Sequence, residues 1–189
     1  MTVDRAEIAR YMRMGRVLPD GALEERVTDI LGRAQKVIRP TKVWRRLDMA
    51  ELGRYFDISG SIARHLDGCH AAYLACGTIG AAFDAFQRCE SVTSGVNALI
   101  AQAVGAAMIE RLMDITGDEI RNELSNGECL ISRYSPGYGD FPLAAQRTLL
   151  EILDAPRTVG VSLTDMLLMV PSKSVSAIIG VRKDEQTVC

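Results

Sequence analysis

The chain has 189 residues, enough for a substantial core, with 48% hydrophobic and 24% charged residues and a formal net charge of -2. That charge and the lack of a basic stripe argue against a nucleic-acid partner. Five cysteines at Cys69, Cys76, Cys89, Cys129 and Cys189 are scattered and odd in number, with no C-x-x-C pair. Neither a disulfide framework nor a zinc site is expected, and a reduced, cytoplasmic protein fits.

Asp4, Arg5 and Glu7 leave no apolar stretch for a secretory leader. Residues 3–14 read as a helix with Ile8, Tyr11 and Met12 on one face. A second helix follows Asp20 and spans Ala22 to Val37, with Leu23, Val27, Ile30 and Leu31 at helical spacing; Arg39-Pro40 closes it. Thr41 to Met49 alternates loosely and is a candidate strand. Ser59 and Ser61 offer caps for a short helix, Ile62 to Leu66. Cys69 to Cys76 reads as a buried strand, and Gly77–Gly80 as a turn into a helix over Ala81 to Cys89. Gly77-x-x-Gly80 is a weak nucleotide-loop signal, since a third glycine and a downstream acid are not evident.

Val96 to Glu123 is the dominant element, a long helix in which Ala98, Ala101, Gly105 and Ala106 let neighbours approach closely. The uncharged runs Gly68–Phe83 and Ser91–Ile109 are too broken by His, Gly, Thr, Ser and Asn to span a bilayer, and read as core elements with no membrane role. After Asn122–Gly127, Asp140 is expected to cap a helix through Leu153, with Pro142 in its first turn. Thr158–Leu163 and Met166–Val170 read as strands, Pro171–Ser174 as a turn, and Val175–Val181 as a last strand. Helices cluster in the middle and strands near the end. The fold class is therefore α+β, an antiparallel sheet flanked by helices, in one domain over residues 1–189.

The chemistry concentrates in Arg133-Tyr134-Ser135-Pro136-Gly137-Tyr138-Gly139-Asp140. Pro136 fixes its φ, and Gly137 and Gly139 allow angles other residues avoid, so a rigid loop is expected. Arg133 offers a planar fork for a carboxylate or phosphate, and Tyr138 a flat face with a polar tip. A plain Pro-Gly turn with a surface arginine is the alternative. Glu110 is the first charge after the uncharged run and shares a helix face with Ala106 and Asp114. It either meets a ligand or is solvated beside Arg111. His65 and His70 form no metal pattern, Ser135 and Ser174 have no nucleophile elbow around them, and Lys173 in the turn reads as solvated. Binding and positioning of a small molecule is favoured over proton-transfer catalysis.

Arg133-x-x-Pro136-Gly137-Tyr138 resembles the signature of the activation domain of cobalamin-dependent methionine synthase. The likeness continues through Phe141–Gln146, Val161–Asp165 and Pro171–Gly180, in the same order and spacing, most firmly over residues 95–180. The resemblance implies a domain that presents S-adenosylmethionine to cobalamin in its cob(II) state, restoring methylcobalamin within methionine biosynthesis. It implies that Arg133 holds the ligand carboxylate, that Tyr134, Ser135, Pro136, Gly137 and Tyr138 line the ligand loop, and that Glu110 faces the ammonium or sulfonium. Cobalamin would be carried by a partner, a corrinoid-binding methionine synthase or methyltransferase subunit, with an electron-donor protein supplying the electron; a homodimer is also open. The chain is too short for the cobalamin, folate and homocysteine modules, which implies a stand-alone reactivation subunit. Two departures stand out. The family's N-terminal aspartate has no counterpart in Tyr11–Met14, and its tyrosine pair has none in Glu185–Cys189. They support a second reading, a non-enzymatic corrinoid-protein docking partner that has lost S-adenosylmethionine binding. A third is an unrelated small-molecule-binding α+β domain.

Overall fold

A computed structural model of the chain describes residues 1–15 and 17–183. In chain order the elements are α1 (Arg5–Tyr11), α2 (Gly21–Val37), β1 (Thr41–Asp48), α3 (Met49–Tyr55), α4 (Gly60–His65), β2 (Cys69–Thr78), α5 (Ala81–Thr93), α6 (Gly95–Arg121), β3 (Glu128–Tyr134), α7 (Ala145–Ile152), α8 (Ala155–Thr158), β4 (Ser162–Leu163), β5 (Met169–Val170) and β6 (Ser174–Lys183). A four-stranded antiparallel sheet runs β1-β2-β6-β3, and β4 and β5 form a separate two-stranded ribbon. The α+β class with a helix-flanked antiparallel sheet is what the sequence predicts.

Helix α6 is 27 residues long, about 40 Å at the standard rise. Ser94 starts it by accepting the Val96 N–H at 3.2 Å. Its first half packs Ile100, Val104 and Met108 against Ile8 of α1, Ile30 of α2 and Phe83 of α5. Its second half lays Met113 and Ile120 on the sheet, against Tyr73 and Ala75 of β2 and Ile179 and Val181 of β6. Gly105 sits at the close approach, where a Cβ would run into the Phe83 ring and stand 2.8 Å from Lys173 Cε. At Gly77 on β2 a Cβ would lie 2.9 Å from Met113 Sδ. Small residues thus set how near α6 comes to both neighbours. The opposite sheet face, with Ala72, Leu74, Cys76 and Ile178, is covered by Leu52 of α3, Ile62 of α4, Leu149 of α7 and Ala155 of α8. Of the two uncharged runs, Ala71–Ile79 and most of Ile100–Ile109 are core as expected, whereas Ser91–Leu99 is largely exposed, Val92, Val96 and Leu99 included; no described helix is long and apolar enough to cross a membrane.

The departures have local causes. Helix α3 follows Asp48, whose carboxylate accepts the Glu51 N–H at 2.7 Å, a cap masked in the sequence by the strand-like run before it. β3 is an unforeseen strand that includes Arg133 and Tyr134, so the rigid loop begins only after Tyr134. Of the expected strand over Thr158–Leu163 only Ser162–Leu163 pairs, as the short β4, and Thr158 is the last residue of α8. Asp140 does not cap the next helix. Its carboxylate accepts the backbone N–H of Ser61 at 2.7 Å and caps α4 from a distance in sequence.

Two carboxylates, Glu90 buried and Glu128 largely covered, tie layers together. Glu90 of α5 pairs with Arg33 of α2 and accepts from Asn97 of α6 at 2.9 Å. Glu128 of β3 takes both terminal nitrogens of Arg46 at 2.6 and 3.1 Å, His70 Nε2 at 2.7 Å and the Ser125 N–H at 2.9 Å. The Arg46 guanidinium, chiefly, pulls the Glu128 carboxyl from 4.5 down to about 2, against the opposing cost of burial. A depressed folded-state value stabilises above the unfolded pKa, and that contribution is lost as pH falls toward 2. Glu128→Gln should cost about 1–3 kcal/mol at pH 7, as for other charge-assisted networks, and in thermal melts of the two proteins the cost should shrink as pH falls below 4.5 and be mostly gone by about pH 2.

Candidate functional site

Strand β3 reaches its functional residue through an irregularity. Leu130 pairs with Val181 and Arg133 with Ile179, so three steps along β3 match two along β6. One residue is extra, and the alternation of faces shifts by one. Val181 and Ile179 both face α6, and residues directly opposite them share that face. Without the bulge Arg133 would point with Ile131 into the core beneath α4 and α7. With it, Arg133 emerges on the α6 side, and Tyr134 turns into the opposite core beside Ile131.

On the α6 side Arg133 meets two carboxylates one helical turn apart. Its Nη2 donates to Glu110 Oε2 at 2.7 Å and its Nη1 to Asp114 Oδ1 at 2.9 Å. These three residues stand at one end of a pocket of about 740 Å3 between α6, β3, β6 and the loop after β3. Gly117, Asp118 and Arg121 continue the α6 wall; Ser135, Pro136 and Tyr138 form the loop wall; Gln146 and Met169 close the third side. The volume lies in the range of small-molecule sites. Asp118 and Arg121 pair with each other along the helix. Tyr11 of α1 stands close to Glu110: burial first, then the Glu110 charge, raises its phenol above the usual value.

Of the residues expected at the site, Glu110, Arg133, Ser135, Pro136 and Tyr138 line this pocket. Tyr134 and Gly137 shape it from behind. The Tyr134 ring stacks on His65 at 4.6 Å, meets Tyr138 edge-on at 5.8 Å, and its hydroxyl donates to the Tyr138 carbonyl at 3.2 Å. Gly137 has φ +93° and donates its N–H to the Phe141 carbonyl at 2.9 Å, closing the turn. The loop is anchored on α4: the Asp140 carboxylate accepts from both the N–H and the hydroxyl of Ser61. That contact leaves no room for a Cβ on Gly60, and Gly139 is equally confined, with Ser61 Oγ 2.6 Å from where its Cβ would be.

Asp114, Gln146 and Met169 are lining residues that the sequence reading did not single out; one helical turn from Glu110 was the available signal for Asp114. The other motifs lie elsewhere. His65 Nε2 is 2.8 Å from the Ser132 carbonyl oxygen, and His70 is bound to Glu128. Lys173 is buried rather than solvated: its ammonium donates to Gln102 Oε1 at 2.7 Å, and burial pushes its pKa below the usual value. In the Gly77–Gly80 turn the Ile79 N–H serves the Lys173 carbonyl and the Gly80 N–H serves Thr78 Oγ1, so neither is free to cradle a phosphate. Among the described residues no group of three or more His, Cys, Asp or Glu could hold a metal ion. Residues Glu185–Cys189, where the family's tyrosine pair would fall, lie outside the described residues.

The family model for the vitamin B12 dependent methionine synthase activation domain matches residues 78–187, more than half of the chain, and spans the pocket-lining parts of α6, β3, the loop and β6. The chain belongs to this activation-domain family. The crystal structure of the MetH reactivation domain bound to AdoHcy has the same fold, with a TM-score of 0.63 at 16% identity over 96% of this chain and 74% of that chain. A comparison with curated proteins returns no match. In this activation domain one remote contact, Asp140 to Ser61, ties the loop to α4. Asp140→Ala should speed amide exchange across residues 135–141 and in the first turn of α4, with the core of α6 unchanged, in a hydrogen-exchange mass-spectrometry comparison with the parent protein.

Proposed function

We propose that this chain binds S-adenosylmethionine in the pocket between α6 and β3 and serves the reductive remethylation of cobalamin held by a partner, a corrinoid-dependent methionine synthase or methyltransferase. An electron-donor protein completes the set. The observation that carries this reading is Arg133, turned by the β3 bulge into a small-molecule-sized pocket and held there between two carboxylates. Its guanidinium retains donors for a ligand carboxylate, the paired geometry for which arginine is suited. Family membership and the AdoHcy bound in the similar MetH reactivation-domain structure support the ligand class.

When bound, S-adenosylmethionine supplies an activated methyl group on a positively charged sulfur. Its departure leaves a neutral thioether and needs no proton transfer from the protein. The tasks left to this chain are binding and orientation. Arg133 takes the carboxylate, the Pro136–Gly137 turn fixes the loop, and Tyr138, more than half exposed at the mouth, offers its ring to the purine. The pocket's acids give the cationic end of the ligand a counter-charge.

One observation favours a docking partner that no longer binds S-adenosylmethionine: both terminal nitrogens of Arg133 are engaged by carboxylates of the chain itself, Glu110 and Asp114. Isothermal titration with S-adenosylmethionine and S-adenosylhomocysteine decides between them. Saturable binding is expected. Arg133→Ala should weaken it by at least about tenfold, the loss of one charge-assisted pair, while leaving the circular-dichroism melt close to that of the parent. Unchanged affinity in that variant would sink the assigned role, and no binding at millimolar ligand would leave the docking reading.

A further inference from the structure

We propose that Asp114 receives the α-ammonium of the bound ligand and thereby makes the site select a zwitterionic amino-acid end. This rests on the S-adenosylmethionine reading above. One guanidinium needs one counter-charge, yet Arg133 has two, from acids four residues apart on the same face of α6. They are not equivalent. Glu110 makes the shorter contact, 2.7 Å, and its side chain is 40% exposed; Asp114 stands at 2.9 Å with 55% of its side chain exposed. Glu110 therefore acts as the standing partner of Arg133, and Asp114 is the acid that yields at low cost, because water solvates it already.

An α-amino acid carries a carboxylate and an ammonium on one carbon. When the carboxylate settles on the Arg133 fork, the ammonium lies beside the acids that flank that fork. Asp114 exchanges its guanidinium contact for the ammonium, one ion pair for another, and no carboxylate is left without a partner. The remaining charges nearby do not compete for the role. Asp118 is paired with Arg121 a turn further along, and Arg111 sits exposed at the rim. Asp114 is thus a specificity residue for the amino group, and Glu110 a positioning residue for Arg133.

The test is a titration of the full chain with S-adenosylhomocysteine and with its desamino analogue, which keeps the carboxylate and lacks the α-amino group. The parent protein should prefer the amino-bearing ligand by about tenfold, the worth of one charge-assisted contact. Asp114→Asn should bring the two affinities to within about twofold by weakening S-adenosylhomocysteine alone, and Asp114→Glu should restore part of the preference. Glu110→Gln should weaken both ligands together and keep the preference. A preference unchanged in Asp114→Asn, or one lost in Glu110→Gln but retained in Asp114→Asn, overturns the assignment while the binding reading stands. A parent protein that binds neither ligand overturns both. The thermal melt of each variant confirms that the comparison is made on folded protein.

Discussion

Helix α6 belongs to two cores at once, and the rest of the molecule is arranged around that fact. Its N-terminal half completes a helical cluster with α1, α2 and α5, and its C-terminal half roofs one face of the sheet. A helix can serve both only if its neighbours come close without steric conflict. Gly105 makes room for Phe83 on one side, and Gly77 admits Met113 on the other. Polar contacts then fix the far end: Lys42 and Trp44 of β1 reach Glu119 and Glu123, the latter at 2.9 Å. Glu110 falls where the helix passes from one core to the other, on the stretch of its surface that faces the pocket.

The second constraint is parity. A strand offers alternate residues to alternate faces, and β3 would place Arg133 in an apolar core if it kept step with β6. A guanidinium there would be desolvated without a partner, a cost of many kcal/mol. The bulge removes the conflict and delivers two things together: the arginine to the pocket, and the Tyr134 ring to the packing behind it. The loop that follows is held at one end by Tyr134 of its own strand and at the other by Ser61 of α4, so part of the pocket wall is braced by an element far from it in sequence.

The parts of the fold written in periodicity were legible. The 3.6-residue repeat of α2 and α6 and the apolar run of β2 identify them, and the Arg133–Tyr138 cluster points to the site because few roles need that combination. What was hidden depended on tertiary context. β3 lies before the conspicuous loop and contains a mixed run, Glu128–Tyr134, whose alternation is broken by its own bulge. Asp140 looks like a local cap by position, yet the donor it satisfies belongs to Ser61. Asp114 looks like an ordinary solvated acid until Arg133 is placed opposite it. Lys173 sits in a Pro-Ser-Lys-Ser turn that reads as surface, and only the approach of Gly105 shows how its stem is covered.

The bulge in β3 also sets a rule for length. Between the Ser125–Gly127 turn and Arg133 the chain behaves like a reading frame with a period of two. Inserting or deleting one residue there exchanges the faces of everything downstream until the next irregularity, and sends the arginine to the wrong side of the sheet. A change of two residues restores the face but slides Arg133 about 7 Å along the strand, past Glu110. The turn before the strand is counted differently, by the paired hydrogen bonds between Ser125 and Glu128 that close it. The pocket therefore holds the chain to one spacing between Glu128 and Arg133.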